Sequence, residues 1–374
     1  MSLFSHWEKR AVEEKVDLVI IGSGIVGLSS ALSYHRVHPN AKIRVVERGI
    51  FPNGASTKNA GFACLGSPTE LLSDLARRSE DEVLETLAMR YKGLQKLFSW
   101  VPRQDCEYEA CGGFELFRHS DANSWAQVKD EKDRLNRLYQ QATGQSEAIK
   151  LHTGNSSFPE VIGTAELRLE GALNPWLLVQ GLLRRTKQVG IEVWNNVEVL
   201  SWKDSASEVI ISTSIGNLMT DKLLVCTNGL TRRIMSGLDL QPARAQVLVA
   251  RTMEPISWKG TFHLEEGYYY FRHIDEHRVL LGGARHMDFE GENSDVIETT
   301  NLIQSNLELL LKQSILAEKS FRIEHRWAGI MAVGSGKKPL VSRITDRVGC
   351  AVRMGGMGVA IGAEVGDQSV RLWD

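Results

Sequence analysis

Cysteine is scarce in this chain of 374 residues, and the five that occur, at 64, 106, 111, 226 and 350, show no Cys-x-x-Cys spacing. An odd, unpatterned set excludes a disulfide framework and a zinc-ribbon arrangement, and it fits a reducing compartment, so a cytoplasmic location is expected. No run of five like charges occurs and the formal net charge is only -2. That excludes the basic stripe that tracks nucleic acid and the polybasic segment that grips an anionic membrane. Met1 to Lys15 has no basic lead into an apolar core, so no export signal is read there. Long apolar runs are missing too. Leu18 to Tyr34 carries no charge, but glycines and serines interrupt it, which suits a strand, a turn and a helix better than a membrane span. The ten histidines are scattered, and no metal centre is expected. Small molecules remain as the expected partners.

What is present is an ordinary globular composition, 43% apolar and 24% charged, long enough for two domains. Val16 to Ile21 is a β-branched and apolar run broken only by Asp17, the mark of a strand buried on both faces. Ile25 to His38 has helical spacing and stops before Pro39, and a second strand is expected at Lys42 to Glu47. Together these make a βαβ unit with parallel strands. Helical periodicity follows around Leu84 to Phe98 and from Asp121 to about Gln141, and Asn174-Pro175 opens a helix to Val189. Short strands are expected at 191–193, 197–203, 208–213 and Leu223 to Cys226. Residues 243 to 284 hold several β-rich runs, which with Phe321 to Trp327 predict a second, largely antiparallel sheet. A helix-like run lies near 298 to 312, and Val348 to Val352 is a strand leading into a last helix. The fold class is therefore α/β, a Rossmann-like dinucleotide domain with a second domain on an antiparallel sheet. The expected division is 1–90, 150–235 and 327–374 for the nucleotide, with 91–149 and 236–326 for the substrate.

The chemistry begins at Gly22-Ser23-Gly24-Ile25-Val26-Gly27, a G-x-G-x-x-G with a strand before it and a helix after it. The first glycine makes the tight turn, the second lets backbone amides approach a pyrophosphate, and the third lets helix and strand pack closely. Glu47 follows 20 residues after Gly27, at the end of the second strand, where a carboxylate accepts from ribose hydroxyls and repels a 2′-phosphate. Arg48 stands beside it. This pattern does not separate FAD from NAD. The next segment, Gly54-Ala55-Ser56-Thr57-Lys58-Asn59-Ala60-Gly61-Phe62-Ala63, is small, polar and rich in donors, and suits a cofactor reaching past its pyrophosphate toward a flavin. Taken alone it also reads as a surface connection.

With that loop the chain resembles the family of FAD-dependent D-amino-acid, glycine and sarcosine oxidases, nearly end to end. Gly171-Ala172-Leu173-Asn174-Pro175 and Val197 match a step that precedes a valine near adenine. Cys226-Thr227-Asn228-Gly229 is similar to a strand-end turn against the cofactor. Gln241-Pro242-Ala243-Arg244-Ala245-Gln246 resembles the family's lead into the substrate sheet, with Ala245 where a glycine is usual. Arg353-Met354-Gly355-Gly356-Met357-Gly358-Val359 resembles the turn whose amides face the flavin pyrimidine ring.

The resemblance implies FAD as cofactor and an amine or amino acid as substrate, D-amino acids among the options. It would be oxidised to an imine by hydride transfer to flavin N5, with oxygen or another acceptor reoxidising the flavin. Strand alternation puts Tyr268, Tyr270 and Arg272 on one face and Tyr269 and Phe271 on the other. The resemblance assigns a carboxylate-binding tyrosine to Tyr268 first and Tyr270 second, while sheet packing is the plain alternative. One departure stands out: Trp327-Ala328-Gly329-Ile330 is followed by Met331 where near relatives carry a carboxylate-binding arginine. Arg285 is the expected replacement, ahead of Arg353 and Arg272, and His273, His286 and His325 lie near the expected site. Two other functions stay open: a tRNA-modifying FAD oxidoreductase, against which the missing basic stripe speaks, and a flavin-binding protein without turnover.

Overall fold

The computed structural model describes residues 4–317 and 319–374, so the first three residues of the Met1 to Lys15 stretch lie outside the described residues. The apolar run Val16–Ile21 is the central strand of the first sheet, parallel to Ile43–Val46 on one side and to Gly216–Val225 on the other. Layers of structure cover both of its faces, which is why Leu18 to Ile21 is apolar throughout rather than alternating, with Asp17 near the strand's start only partly buried. Glu192–Trp194 and Val348–Val352 add parallel strands at the two flanks, so five carboxyl ends point the same way. Antiparallel additions complete the sheet: Leu340–Arg343 beyond Val348–Val352, and Val199–Asp204 with Val209–Thr213 on the first half of Gly216–Val225.

The helix Ile25–Val37 leaves the central strand, and Gly358–Ser369 leaves Val348–Val352. Small residues let these helices touch: a Cβ on Gly366 would lie 2.6 Å from Ser29 Cβ, and one on Gly93 would lie 2.0 Å from the Ala360 carbonyl oxygen. The last helix is thus wedged between Ile25–Val37 and Glu80–Trp100. Both Ile25–Val37 and Gly358–Ser369 start at the carboxyl end of the sheet, so two positive helix ends open on one side of it. No described helix is long and apolar enough to cross a membrane.

The second sheet runs in the order Phe321–Val333, Gln241–Thr252, Arg278–Gly283, Tyr269–His273, Thr261–Leu264, Gly113–Arg118, Val161–Leu167, Ile149–Thr153. All neighbours are antiparallel except Thr261–Leu264 with Gly113–Arg118. One face is aromatic: Phe262 and Phe271 stack with centroids 4.7 Å apart, Phe158 and Trp258 pack around them, and Ile303, Leu307 and Leu311 close the layer from a helix. The other face carries Val247, Val249 and Leu280 against Ala60 and Phe62 of the first half, which brings the two sheets together.

Sheet membership moves the expected division of the chain. Ile149–Thr153 and Val161–Leu167, expected at the opening of a nucleotide segment 150–235, instead extend the second sheet, and Phe321–Val333 carries that sheet past residue 327. Glu80–Trp100 packs on Gly358–Ser369, so residues 91–100 sit with the first sheet rather than with the second. The cause is long-range strand pairing, which local spacing does not encode.

Candidate active site

A cleft of about 670 Å³ lies between the sheets, beyond the carboxyl ends of the parallel strands. Its floor is the glycine turn. Gly22 sits at φ +103°, a conformation costly for any side chain, and a Cβ on Gly27 would come within 1.9 Å of the Gly22 carbonyl oxygen. Gly24 is the N-cap of Ile25–Val37 and offers no capping side chain, while Ser56 Oγ accepts from the Ile25 N–H at 3.0 Å. Glu47 is fixed at the edge by three donors: Ser23 N–H at 3.2 Å and Ser23 Oγ at 2.9 Å to one oxygen, and Gly49 N–H at 2.9 Å to the other.

Most of the expected cofactor residues border this cleft: Gly22, Gly24, Ile25, Val26, Glu47, Arg48, Ala55, Ser56, Asn59, Ala60, Phe62, Val197, Thr227, Asn228, Gly355, Gly356, Met357, Gly358 and Val359. Four expected residues stand behind it and serve packing. Gly27 is the close helix–turn contact. Thr57 Oγ1 donates to the Pro52 carbonyl, Gly61 lies so close to the Leu173 carbonyl that a Cβ would come within 2.1 Å, and Gly229 is as tight against Met331 O, at 2.3 Å.

Asn59 and Asn228 shape the two turns that face each other. Asn59 Nδ2 donates to the carbonyls of Ala55 and Ser56 while its Oδ1 accepts from Gly61 N–H, closing the loop that follows the short helix Ala55–Lys58. Asn228 Oδ1 accepts from the N–H groups of Arg353 and Met354 at 3.2 and 3.3 Å. That bond holds the turn leading to Gly358–Ser369, in which Gly355 and Gly356 both have positive φ.

The opposite wall belongs to the second sheet. Tyr270 faces the cleft from Tyr269–His273, edge-on to Phe62 at 5.8 Å, and burial pushes its phenol up to about 12. Tyr268 corrects the strand reading. The strand starts at Tyr269, and Tyr268 occupies a helical turn position before it, 45% exposed and 4.7 Å from the His286 ring. It still borders the cleft, but not from the face shared by Tyr270 and Arg272. The three-residue turn Glu265–Gly267 interrupts the alternation.

Arg285 borders the cleft just past Arg278–Gly283. Its Nη2 donates to Asn293 Oδ1 at 2.7 Å, its guanidinium lies over the Phe289 ring, and no described carboxylate is within ion-pair distance. Burial lowers its pKa. Arg353 is instead tied to Asp239 and the Lys338 carbonyl, and Arg272 lies behind Gly61, outside the cleft. Met331 borders the cleft with an uncharged thioether. His273 bonds to Glu109 away from the site, and His325 is exposed outside it.

Sequence reasoning missed His263. It borders the cleft from Thr261–Leu264, opposite Tyr270 in the strand register and edge-on to Phe62 at 5.3 Å, and burial pulls its pKa down to about 4. Its strand, of only four residues, gave no usable periodicity. Glu70 and Lys337 at the rim were also missed. Burial opposes the Glu70 charge, but Arg90 and Lys337 outweigh it and hold the carboxyl at about 2.

Comparison with known proteins gives the family and the fold. A family model described as FAD dependent oxidoreductase matches residues 17–372. The chain is 21% identical to the sarcosine oxidase subunit beta of Rhodobacter capsulatus, over 91% of this chain and 81% of that one. In fold it is similar to the L-proline dehydrogenase of P. horikoshii, with a TM-score of 0.75 at 15% identity, covering 96% and 93% of the two chains. It is similar also to the glycine oxidase of Bacillus cereus, with a TM-score of 0.71 at 16% identity, covering 96% and 97%.

Proposed function

Because the chain belongs to the FAD dependent oxidoreductase family, we propose that it oxidises a small amine that carries a carboxylate, held in the cleft between the two sheets. The observation that carries this reading is the continuity of one cleft from the Gly22–Gly24 turn to Tyr270 and Arg285. The residues present suit the family's cofactor. The amides at the start of Ile25–Val37 would take the diphosphate, Glu47 the ribose, and the turns at 55–62 and 355–359 the ring. Bound FAD supplies uptake of a hydride from the carbon next to nitrogen, giving an imine.

The chain's own residues then bind and orient. Arg285 is half-buried and has no acid partner among the described residues, its guanidinium being held by Asn293 Oδ1 alone among their side-chain acceptors, so a substrate carboxylate gains a charge-assisted bond there. Tyr270 is a neutral hydroxyl at any physiological pH, and His263, at about 4, is a neutral imidazole. Neither places a second cation near the reacting amine, and neither competes with Arg285 for the carboxylate. Ala60 and Phe62 meet Val247 and Tyr270 across the cleft and give it an apolar lining beside Tyr270. The named activities of the relatives above, on sarcosine, glycine and proline, are all on amines bearing a carboxylate, and they support the same substrate class.

Anaerobic mixing of the yellow protein with a panel of glycine, sarcosine, proline, D- and L-amino acids and matched neutral amines tests the proposal. A carboxylate-bearing amine is expected to bleach the oxidised flavin band faster than its neutral partner. Failure of every compound to reduce the flavin would leave a flavin-binding protein without turnover. Readmitting air with a peroxide assay then separates oxygen from other acceptors.

A further inference from the structure

We propose that Glu109, Cys111 and His273 form a binding site for one divalent transition-metal ion of the zinc type, outside the cleft and independent of the reading above. A carboxylate oxygen, the Cys111 sulfur and an imidazole nitrogen lie within 4.8 Å of one another. This is the mixture of nitrogen, sulfur and oxygen donors that zinc and cobalt prefer, whereas calcium and magnesium need oxygen alone. Around a tetrahedral ion with bonds of roughly 2.0–2.3 Å, ligand atoms stand roughly 3.3–3.8 Å apart. The longest separation must therefore close by roughly 1.0–1.5 Å at most, while His273 Nε2 and Glu109 Oε2, now 2.8 Å apart, must open by roughly half an ångström. The Glu109 side chain is exposed and Cys111 is only partly buried, so both have room for that adjustment.

The backbone holding the three donors is fixed. Glu109 exchanges both backbone hydrogen bonds with Ala172, at 2.8 and 3.0 Å. Cys111 follows two residues later on the same stretch, and Gly112 O accepts from Thr261 N–H at 3.1 Å, next to Gly260. His273, buried at the end of its strand, has both backbone groups of Gly260 beside Nδ1: the N–H at 3.1 Å and the carbonyl oxygen at 3.4 Å. Without metal, Nδ1 accepts from Gly260 N–H and Nε2–H donates to Glu109. With metal on Nε2, the proton moves to Nδ1; the Gly260 N–H then loses that acceptor, and the ring must tilt toward the Gly260 carbonyl for Nδ1–H to donate to it, the outer-shell partner that ligating histidines ordinarily have. Arg272 is an opposing charge felt at both Cys111 and Glu109, and the carboxylate together with the thiolate that forms on metal binding outweighs it. The three residues are 109, 111 and 273 in the chain, a spacing no local motif would reveal.

Cobalt(II) added to chelator-treated, desalted, flavin-containing protein provides the test. The expected result is saturation at one ion per chain, with ligand-field bands on the long-wavelength side of the flavin absorption and a sulfur-to-metal charge-transfer band. One equivalent of zinc should abolish both. Cys111→Ser should lose the charge-transfer band, and Cys111→Ser, His273→Gln and Glu109→Gln should each weaken zinc by about tenfold or more in competition with a chromophoric chelator. Glu109→Gln keeps the backbone pairing and serves as the variant least disturbing to the fold. Absence of a saturable cobalt spectrum in the parent protein, or unchanged zinc affinity in Cys111→Ser and Glu109→Gln, overturns the site.

Discussion

Gly27 rests on the carbonyl oxygen of Gly22: a Cβ built there would lie 1.9 Å from that oxygen, so helix and turn are in direct contact. Gly24, between them, faces the cleft, where its own Cβ would meet only the Ser56 hydroxyl, at 2.7 Å. The two glycines should therefore fail differently. Gly24→Trp should give soluble, folded, colourless protein, because the side chain fills the diphosphate approach without touching the core. Gly27→Ala must part helix and strand, and should lower the melting temperature as well as the flavin content. Circular dichroism and the flavin absorbance of purified variants check both, and a yellow Gly24→Trp protein would remove the turn from the cofactor site.

Arg285 is the one cation on the cleft wall for which a carboxylate role is proposed, and its replacement has a selective signature. Arg285→Met should raise KM for a carboxylate-bearing substrate by roughly 10- to 100-fold, the size of a lost hydrogen bond to a charged group. A neutral amine of similar shape should be nearly unaffected. Equal losses on both substrates would mean that Arg285 acts through structure rather than by contact.

Two buried glutamates set a pH dependence. Burial raises the carboxyls of Glu115 and Glu170 to about 7, against an ordinary value of 4.5, even though Thr69 and Ser67 donate to the first and the Leu65 and Gly66 N–H groups to the second. Between those values the folded chain holds protons that the unfolded chain has released. Their effect on stability is therefore most favourable below 4.5 and is lost as the pH rises through about 7. From about pH 5 to about pH 8 the loss should be on the order of 1–3 kcal/mol per group. Glu170→Gln should flatten that slope in urea unfolding, and an unchanged slope would exclude Glu170 as its source.

The centre of the parallel sheet was legible because Leu18 to Ile21 and Val348–Val352 are short apolar runs that lead into glycine turns, so Val16–Ile21, Ile25–Val37 and Val348–Val352 fall within a residue of expectation, whereas of Gly216–Val225 only the apolar end was read. Gly113–Arg118, Ile149–Thr153 and Val161–Leu167 were not, because their pairing is with one another and with Thr261–Leu264 across long stretches of chain. The turns that border the cleft on the first sheet's side were readable for the same reason as the sheet: backbone turns write glycine and asparagine into the sequence. The opposite wall of the cleft is made of side chains on strand faces. There a single irregular turn, Glu265–Gly267, displaced Tyr268 and left Tyr270 and His263 as the pair that meets Phe62.

The segment 285–300 has little regular structure, yet it carries Arg285 and Phe289, and one buried acid holds it. Glu292, 1% exposed, accepts from Nε and Nη2 of Arg244, itself 4% exposed, and from Gln246 Nε2. Arg244 and Gln246 belong to Gln241–Thr252, so the segment is bound to the second sheet, while Asp295 pairs with Arg233 of the first half. Removing Glu292 leaves a guanidinium buried with only the exposed Glu298 and the Gly291 carbonyl for company. Breaking a buried pair from one side costs about 3–5 kcal/mol, and less where a partly solvated acid remains. Glu292→Ala should therefore lower stability by about 2–4 kcal/mol in denaturant unfolding, and should also raise KM for carboxylate substrates as Arg285→Met does, because Asn293 no longer steadies that guanidinium. The double variant Glu292→Ala/Arg285→Met separates the effects: KM no worse than in Arg285→Met alone places Glu292 behind Arg285. Additive losses would mean that the segment contacts substrate through another residue.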